Sequence, residues 1–328
     1  MLKSKTKYTW EGWESSGRED WVFSVKHPCE LIGVHAKLID VQLKESEKVE
    51  YCVYSPRLSS TLTPFGLRSE EASRGICVTD KRFIISENRH VKGIEPSLTS
   101  IDFEDIQYFN IGNALILGWF SIHYCVDGNL KDITILFSST GRHHFEKLIR
   151  TYKKYSGEDL MDERGIETYY PSSFIYNIKD NIHRNDLKTL ISSSEKCVST
   201  FSCQYIWGVV KRKRWPWGRR DTIYVKNNAT FLLTSKGLLI ARNGVEAAGG
   251  VAVDILSISI DKIKKVIVAN EKYMESEIYN LEIIFSNVSA VANLPLSIIV
   301  HGRDAEALLK RSLSVIADTK ERGQYDEV

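Results

Sequence analysis

The chain has no long apolar run. Its longest, Ala114 to Ile122 (ALILGWFSI), spans nine residues, well short of the roughly 20 that a membrane-spanning helix needs, so no transmembrane segment is expected. The opening stretch MLKSKTKYTWEGWESSGRED carries basic residues but no apolar segment behind them, which removes the pattern of a secretory signal. The expected location is the cytoplasm, with a peripheral position at the membrane as its extension. Paired cysteines are also missing. The six (Cys29, Cys52, Cys77, Cys125, Cys197, Cys203) form no C-x-x-C and have no zinc-like spacing to histidine, so no metal or cofactor is expected. They read as buried reduced thiols, since free cysteine behaves as a small apolar side chain.

The signatures of catalysis are equally scarce. NGVEAAGGV (Asn243 to Val251) has glycines but neither the G-x-x-x-x-G-K-[ST] order nor a following helix, and reads as a flexible hairpin loop. His143 and His144, with Glu146 close by, come nearest to a reactive cluster; neighbours at a helix start face different ways, so they do not converge on one ion. His27, His35, His90, His123, His183 and His301 stand alone in sequence and read as structural or solvent-exposed. No catalytic residue is assigned, and an enzyme is not expected.

What is present is a folded, two-part chain. Its 328 residues exceed what one hydrophobic core usually supports, and 43% hydrophobic with 26% charged residues is ordinary for a globular protein. Two stretches run through the same signals in the same order, a long internal repeat. VEYCVYS after Ser46-Glu47-Lys48 is answered by CVSTFSCQYIW, which opens at Ser194-Glu195-Lys196. GICVTDKRFIIS (Gly75 to Ser86) is answered by TFLLTSKGLLIA (Thr230 to Ala241), each reading as strand, Thr-x-Lys turn, strand. SIDFEDI and SISIDKI each lead into a further strand, YFNIGNALILGWFSIHY or KKVIVAN, and ITILF matches LEIIF.

Each copy then ends in a helix. In GRHHFEKLIRTYKKY, Phe145, Leu148, Ile149 and Tyr152 fall at i, i+3, i+4, i+7; in HGRDAEALLKRSLSVI, Ala305, Leu308, Leu309 and Leu313 fall at i, i+3, i+4, i+8. Both spacings make one apolar face. The expected organisation is an N-terminal extension over 1–45, a first domain over 46–155, a linker over 156–193 containing a short helix (NDLKTLIS), a second domain over 194–318 and a tail over 319–328. The extension holds Trp10, Trp13 and Trp21, a strand in WVFSV and the segment LIGVHAKLIDVQL; aromatics this dense are expected to dock on the chain's own domains.

The hairpin followed by a short isoleucine-bounded stretch resembles bacterial pleckstrin-homology-like (PH-like) and GRAM-like domains, where a T-x-x-R hairpin precedes I-x-x-x-x-I. Thr79, Asp80, Lys81 and Arg82 with Ile101 and Ile106 carry the resemblance in the first copy, and Thr234, Ser235 and Lys236 with Ile258 and Ile263 in the second, where Gly237 replaces the usual Arg. The resemblance implies a mainly β fold of two partly open, seven-stranded barrels, each capped by a C-terminal helix. It implies no ligand, because the fold serves many functions.

One segment stands out in charge. Lys211, Arg212, Lys213, Arg214, Trp215, Pro216, Trp217, Gly218, Arg219 and Arg220 include six cations and no acid in a chain of net charge +2, so the remainder carries −4 (2 − 6). By the repeat it lies between the first two strands of the second domain, where the resemblance to eukaryotic PH domains implies a phosphoinositide headgroup site. Pro216 and Gly218 oppose a continuous strand, so the tip would present Trp215 and Trp217. Trp seats well at a lipid–water interface and each cation near an anionic bilayer adds about 1 kcal/mol. Lys211, Arg212, Lys213, Arg214, Trp215, Trp217, Arg219 and Arg220 are therefore the candidate ligand-binding residues, with an anionic lipid surface or a protein partner as target. Single-stranded nucleic acid is the alternative, with cations on phosphates and indoles on bases; a solvated tip with its tryptophans folded back is the bland reading. The matching loop of the first domain has Arg57, Arg68 and Arg74 but also Glu70 and Glu71, so it is no second basic tip. Strand edges leave homo-oligomerisation open.

Overall fold

The computed structural model describes residues 21–299 except for 61–68, 71, 90–92, 115–116, 157–169, 193, 214–219, 246–250, 274–275 and 286–293. The protein is mainly β, with antiparallel sheets and few helices. Two compact units emerge: residues 1–106, 113–124 and 132–156 form the first, and residues 107–112, 125–131 and 157–328 the second. The sheets stay open; among the described residues no ladder closes either unit into a barrel. The helix expected from HGRDAEALLKRSLSVI lies outside the described residues.

The first unit begins with strand β1 (Phe23–Val25) and helix α1 (Val34–Gln42). Strand β2 (Val49–Ser55) leads, through the two-residue ladder of β3 (Ser59–Ser60) and β4 (Ser69–Glu70), to the hairpin of β5 (Ser73–Thr79) and β6 (Arg82–Asn88) and then β7 (Ser97–Asp102). These make an antiparallel sheet in the order β1-β2-β5-β6-β7. Strands β8 (Ile106–Ala114), β9 (Leu117–Val126) and β10 (Asn129–Ser138) follow in the chain, then helix α2 (Arg142–Tyr155). The stretch YFNIGNALILGWFSIHY, expected as one strand, thus contributes to two.

Helix α2 buries the face its spacing predicts: Phe145, Leu148 and Ile149 are fully enclosed and Tyr152 nearly so. Removing such side chains from water contributes roughly 1.5–3 kcal/mol each as an upper bound. The Phe145 ring stacks on Phe137 at 4.1 Å, and Tyr152 meets Phe103 edge-on at 5.2 Å, which in turn touches Phe83 of β6 at 5.7 Å. This aromatic chain ties the helix to the hairpin.

In the second unit, after a short helical stretch over Pro171–Asn177, comes helix α3 (Asn181–Leu190), whose first turn is capped by the Asp180 carboxylate accepting from the Ile182 and His183 amides at 2.9 and 3.2 Å. Strands β11 (Cys197–Lys213), β12 (Arg220–Thr234), β13 (Gly237–Val245), β14 (Val251–Ser259), β15 (Ile263–Tyr273), β16 (Ser276–Phe285) and β17 (Leu294–Ile299) follow. They neighbour one another antiparallel in the order β14-β13-β12-β11-β17-β16-β15.

The β5–β6 and β12–β13 hairpins share individual hydrogen bonds. In the first hairpin the Thr79 hydroxyl accepts from the amides of Lys81 and Arg82 (3.1 Å each) and donates to the Arg82 carbonyl; in the second the Thr234 hydroxyl accepts from Lys236 and Gly237 (3.3 and 3.1 Å) and donates to the Gly237 carbonyl. The Lys48 amide donates to the Asp80 carboxylate and the Lys196 amide to the Ser235 hydroxyl. The Lys81 carbonyl receives the Phe103 amide, as the Lys236 carbonyl receives the Ile260 amide. The two turns differ where sequence says they should. Arg82 is buried, donating to Glu47, the Ser100 hydroxyl and the Gln42 carbonyl. At Gly237 a Cβ would lie 2.3 Å from the Ile258 carbonyl oxygen, so no side chain fits there.

Each unit also seats a buried histidine from a helix that precedes its hairpin. His35 of α1 bonds the hydroxyls of Ser86 (2.8 Å) and Ser73 (3.0 Å); His183 of α3 bonds the Thr230 hydroxyl (2.8 Å) and the Asn243 side-chain oxygen (3.0 Å). The partners trade strands between the two hairpins. Gly75 faces Ser86 across the first hairpin and Thr230 faces Ala241 across the second, so each pair supplies one hydroxyl and one small residue, from opposite strands. At Gly75 a Cβ would lie 2.7 Å from the His35 Cβ, which is why glycine stands there.

Candidate functional site

The β11–β12 hairpin carries the basic segment. Lys211, Arg212 and Lys213 are the last residues of β11, and Arg220 opens β12, in a register that sets Lys211 opposite Thr222, Arg212 opposite Asp221 and Lys213 opposite Arg220. The ladder runs further than a loop reading of 211–220 allows, so these four are strand residues. Arg214, Trp215, Trp217 and Arg219 lie outside the described residues. The period-two alternation of a strand puts positions 211, 213 and 220 on one face of the hairpin and 212 with 221 on the other.

The histidine pair at the start of α2 does not act as a unit. The rings lie 3.9 Å apart, but His144 shares a 2.8 Å hydrogen bond with the Tyr51 hydroxyl, whereas His143 bonds the Thr140 carbonyl at 3.2 Å. Burial, with His143 and Lys147 adding to it, holds His144 down to about 4, so the imidazole is neutral near pH 7. His123 is likewise pushed down to about 4 by burial, against the pull of Asp132. Among the described residues no three His, Cys, Asp or Glu side chains gather as a metal site, and no helix is long and apolar enough to cross a membrane.

The thiols are all free. Cys52, Cys77, Cys125 and Cys197 are buried as expected, with Cys52 directly opposite Cys77 on β2 and β5. Two depart from that reading. Cys29 is exposed because it sits in a single 3-10 turn (Pro28–Glu30) on the surface, and Cys203 is half-buried. Burial raises the Cys203 thiol to about 12, which keeps it protonated and unreactive.

Isolated spacing gave no sign of His35 and His183 as interior residues. Their position on an apolar helical face, four residues before Ile39 and Leu187, is the signal that was available.

Residues 43–153 match the family model described as the bacterial PH domain. Strands β2 to β10, the Thr79 turn and all but the last two residues of helix α2 lie within that stretch, and the match supports a PH-like domain there. No curated protein matches the chain.

Proposed function

We propose that the protein is a non-enzymatic binding or scaffold module of two PH-like, GRAM-like domains, over 46–155 and 194–318, that meets an anionic membrane surface through Lys211–Arg220. The observation that carries the reading is the hairpin register. It sets three basic positions, 211, 213 and 220, on one face of the hairpin, which suits an anionic surface. Support for a second PH-like copy comes from the paired hydrogen bonds of the Thr79 and Thr234 turns. The location that fits this role is cytoplasmic and peripheral to the membrane.

The test is co-sedimentation with neutral and anionic liposomes, comparing the wild type with a variant carrying Lys211, Arg212, Lys213 and Arg214 all changed to Ser. Salt-reversible pelleting of the wild type with anionic vesicles alone, lost in the variant, is the expected result. If neither pellets, the membrane reading fails, and quenching of Trp fluorescence by short oligonucleotides then decides for nucleic acid or, in its absence, for a protein partner.

A further inference from the structure

Three of the six thiols gather around one part of the first unit. Cys52 of β2 stands directly opposite Cys77 of β5, in a row across the sheet that runs Val25, Cys52, Cys77, Ile84. All four side chains are buried in one cluster with Leu31, Ala36 and Ile39. The segment from β1 to α1 is thus a strap over the pair, and Cys29 lies exposed on the single turn within it. Cys29 is near enough to Cys52 to act on it electrostatically.

The strand spacing admits a bond between the two sulfurs. Opposite residues of antiparallel strands have Cα atoms about 4.5 or about 5.5 Å apart, and a disulfide accepts roughly 4.4–6.8 Å. Their Cβ atoms, about 4.5–5.5 Å apart in a sheet, must come to about 3.5–4.5 Å, so the bond is strained and readily reduced. A disulfide of that kind serves regulation rather than structure. In the closed unit the pair is inert: the hydrogen bond shared with Cys77, together with burial, pushes the Cys52 thiol up and keeps it protonated. The strap is the weak point. Strand β1 is three residues long, and α1 starts at Gly33, whose φ is 62°, with no side-chain cap.

We propose that Cys52 and Cys77 are a dithiol–disulfide couple gated by this strap, with Cys29 as the thiol that meets the oxidant, a hydroperoxide. The Cys29 sulfur attacks hydrogen peroxide, the O–O bond breaks, and Cys29 becomes a sulfenic acid with release of one water. When the strap lifts, the Cys52 sulfur attacks the Cys29 sulfur and a second water leaves. Cys77 then attacks the Cys52 sulfur, which forms the cross-strand disulfide and returns Cys29 as a thiol. Two thiols and one peroxide thus give one disulfide and two waters, with two electrons passing from sulfur to peroxide oxygen. The couple lies in the first unit and does not depend on the membrane reading above. In a reducing compartment disulfides are transient and redox-sensing, the role that a strained and covered pair fits.

The experiment exposes the reduced full chain to hydrogen peroxide, stops samples in acid, blocks the remaining thiols with N-ethylmaleimide and maps linked peptides by mass spectrometry. The wild type is compared with Cys29→Ser and Cys77→Ala, and a circular-dichroism melt checks that both variants keep their fold. A Cys52–Cys77 linked peptide that dithiothreitol reverses is expected in the wild type. In Cys29→Ser it should form ~10-fold or more slowly, since the oxidant must then reach buried, protonated thiols. In Cys77→Ala the oxidation should stop at a Cys29–Cys52 link. His35→Ala, which removes the side-chain bonds of α1 to Ser86 and Ser73, should speed the wild-type reaction. Absence of the Cys52–Cys77 link in the wild type overturns the couple, and equal rates in Cys29→Ser overturn the relay through Cys29.

Discussion

Replacing His35 by Ala tests whether the histidine of α1 holds the helix to the hairpin. The ring gives up hydrogen bonds of 2.8 and 3.0 Å to Ser86 and Ser73 and an edge-on contact with Tyr54 at 5.8 Å. Neither hydroxyl is stranded by the change, because Ser86 already donates to the Gly75 carbonyl at 3.2 Å and Ser73 to the Asn88 carbonyl at 3.4 Å. The cost is therefore about 1 kcal/mol per bond rather than a full burial penalty, with about 1 kcal/mol more for the ring contact. A loss near 3 kcal/mol lowers Tm by roughly 6–12 °C for a unit of this size. Urea denaturation measures it, and the double variant with Ser86→Ala should show a coupling of about 1 kcal/mol because the two residues share a bond. A loss under about 1 kcal/mol, or additive single changes, would refute the reasoning.

Three further outcomes follow from the same contacts. Arg82→Ala should cost about 3–5 kcal/mol in urea denaturation, since Glu47, 2% exposed in its side chain, loses the guanidinium 3.0 Å away. Gly237→Ala should destabilise the second unit by about 1–3 kcal/mol, as its Cβ would meet a backbone oxygen that cannot swing aside; a melting curve equal to wild type would contradict the close approach. His144 and His123 both have folded values near 4, below the ordinary 6.5. Unfolding therefore takes up protons, and stability is full above about pH 6.5 and declines as pH falls toward about 4. Ring-proton NMR titration of the two histidines checks this, with midpoints near 6.5 as the contrary result.

Much of the fold was legible because the signals were local. The Thr-x-Lys turns need only three residues and a hydroxyl, and the apolar face of α2 follows from spacing alone. The break between β8 and β9 was hidden, since the longest apolar run of the chain, Ala114 to Ile122, crosses it. The histidine seats were hidden for a different reason. Ser73 and Ser86 lie 38 and 51 residues from His35, and in the second unit the hydroxyl comes from the opposite strand, so aligning the two hairpins residue by residue hides the likeness. For the basic segment the sequence located the hairpin but not its ends, because Lys and Arg carry no strong preference against a strand.

The order of synthesis gives the helix-borne histidines a further meaning. Chains grow from the N-terminus at about 5–20 residues per second, so α1 and its imidazole emerge before the hairpin that receives them, and helix α2 arrives last. Strands β2 to β7 are thus bracketed in time by two helices. A fragment started at residue 43, where the family match begins, would make the hairpin without the earlier helix and leave the hydroxyls of Ser73 and Ser86 without the imidazole they bind. The stretch that matches the family and the stretch that supplies the histidine's seat therefore begin at different residues.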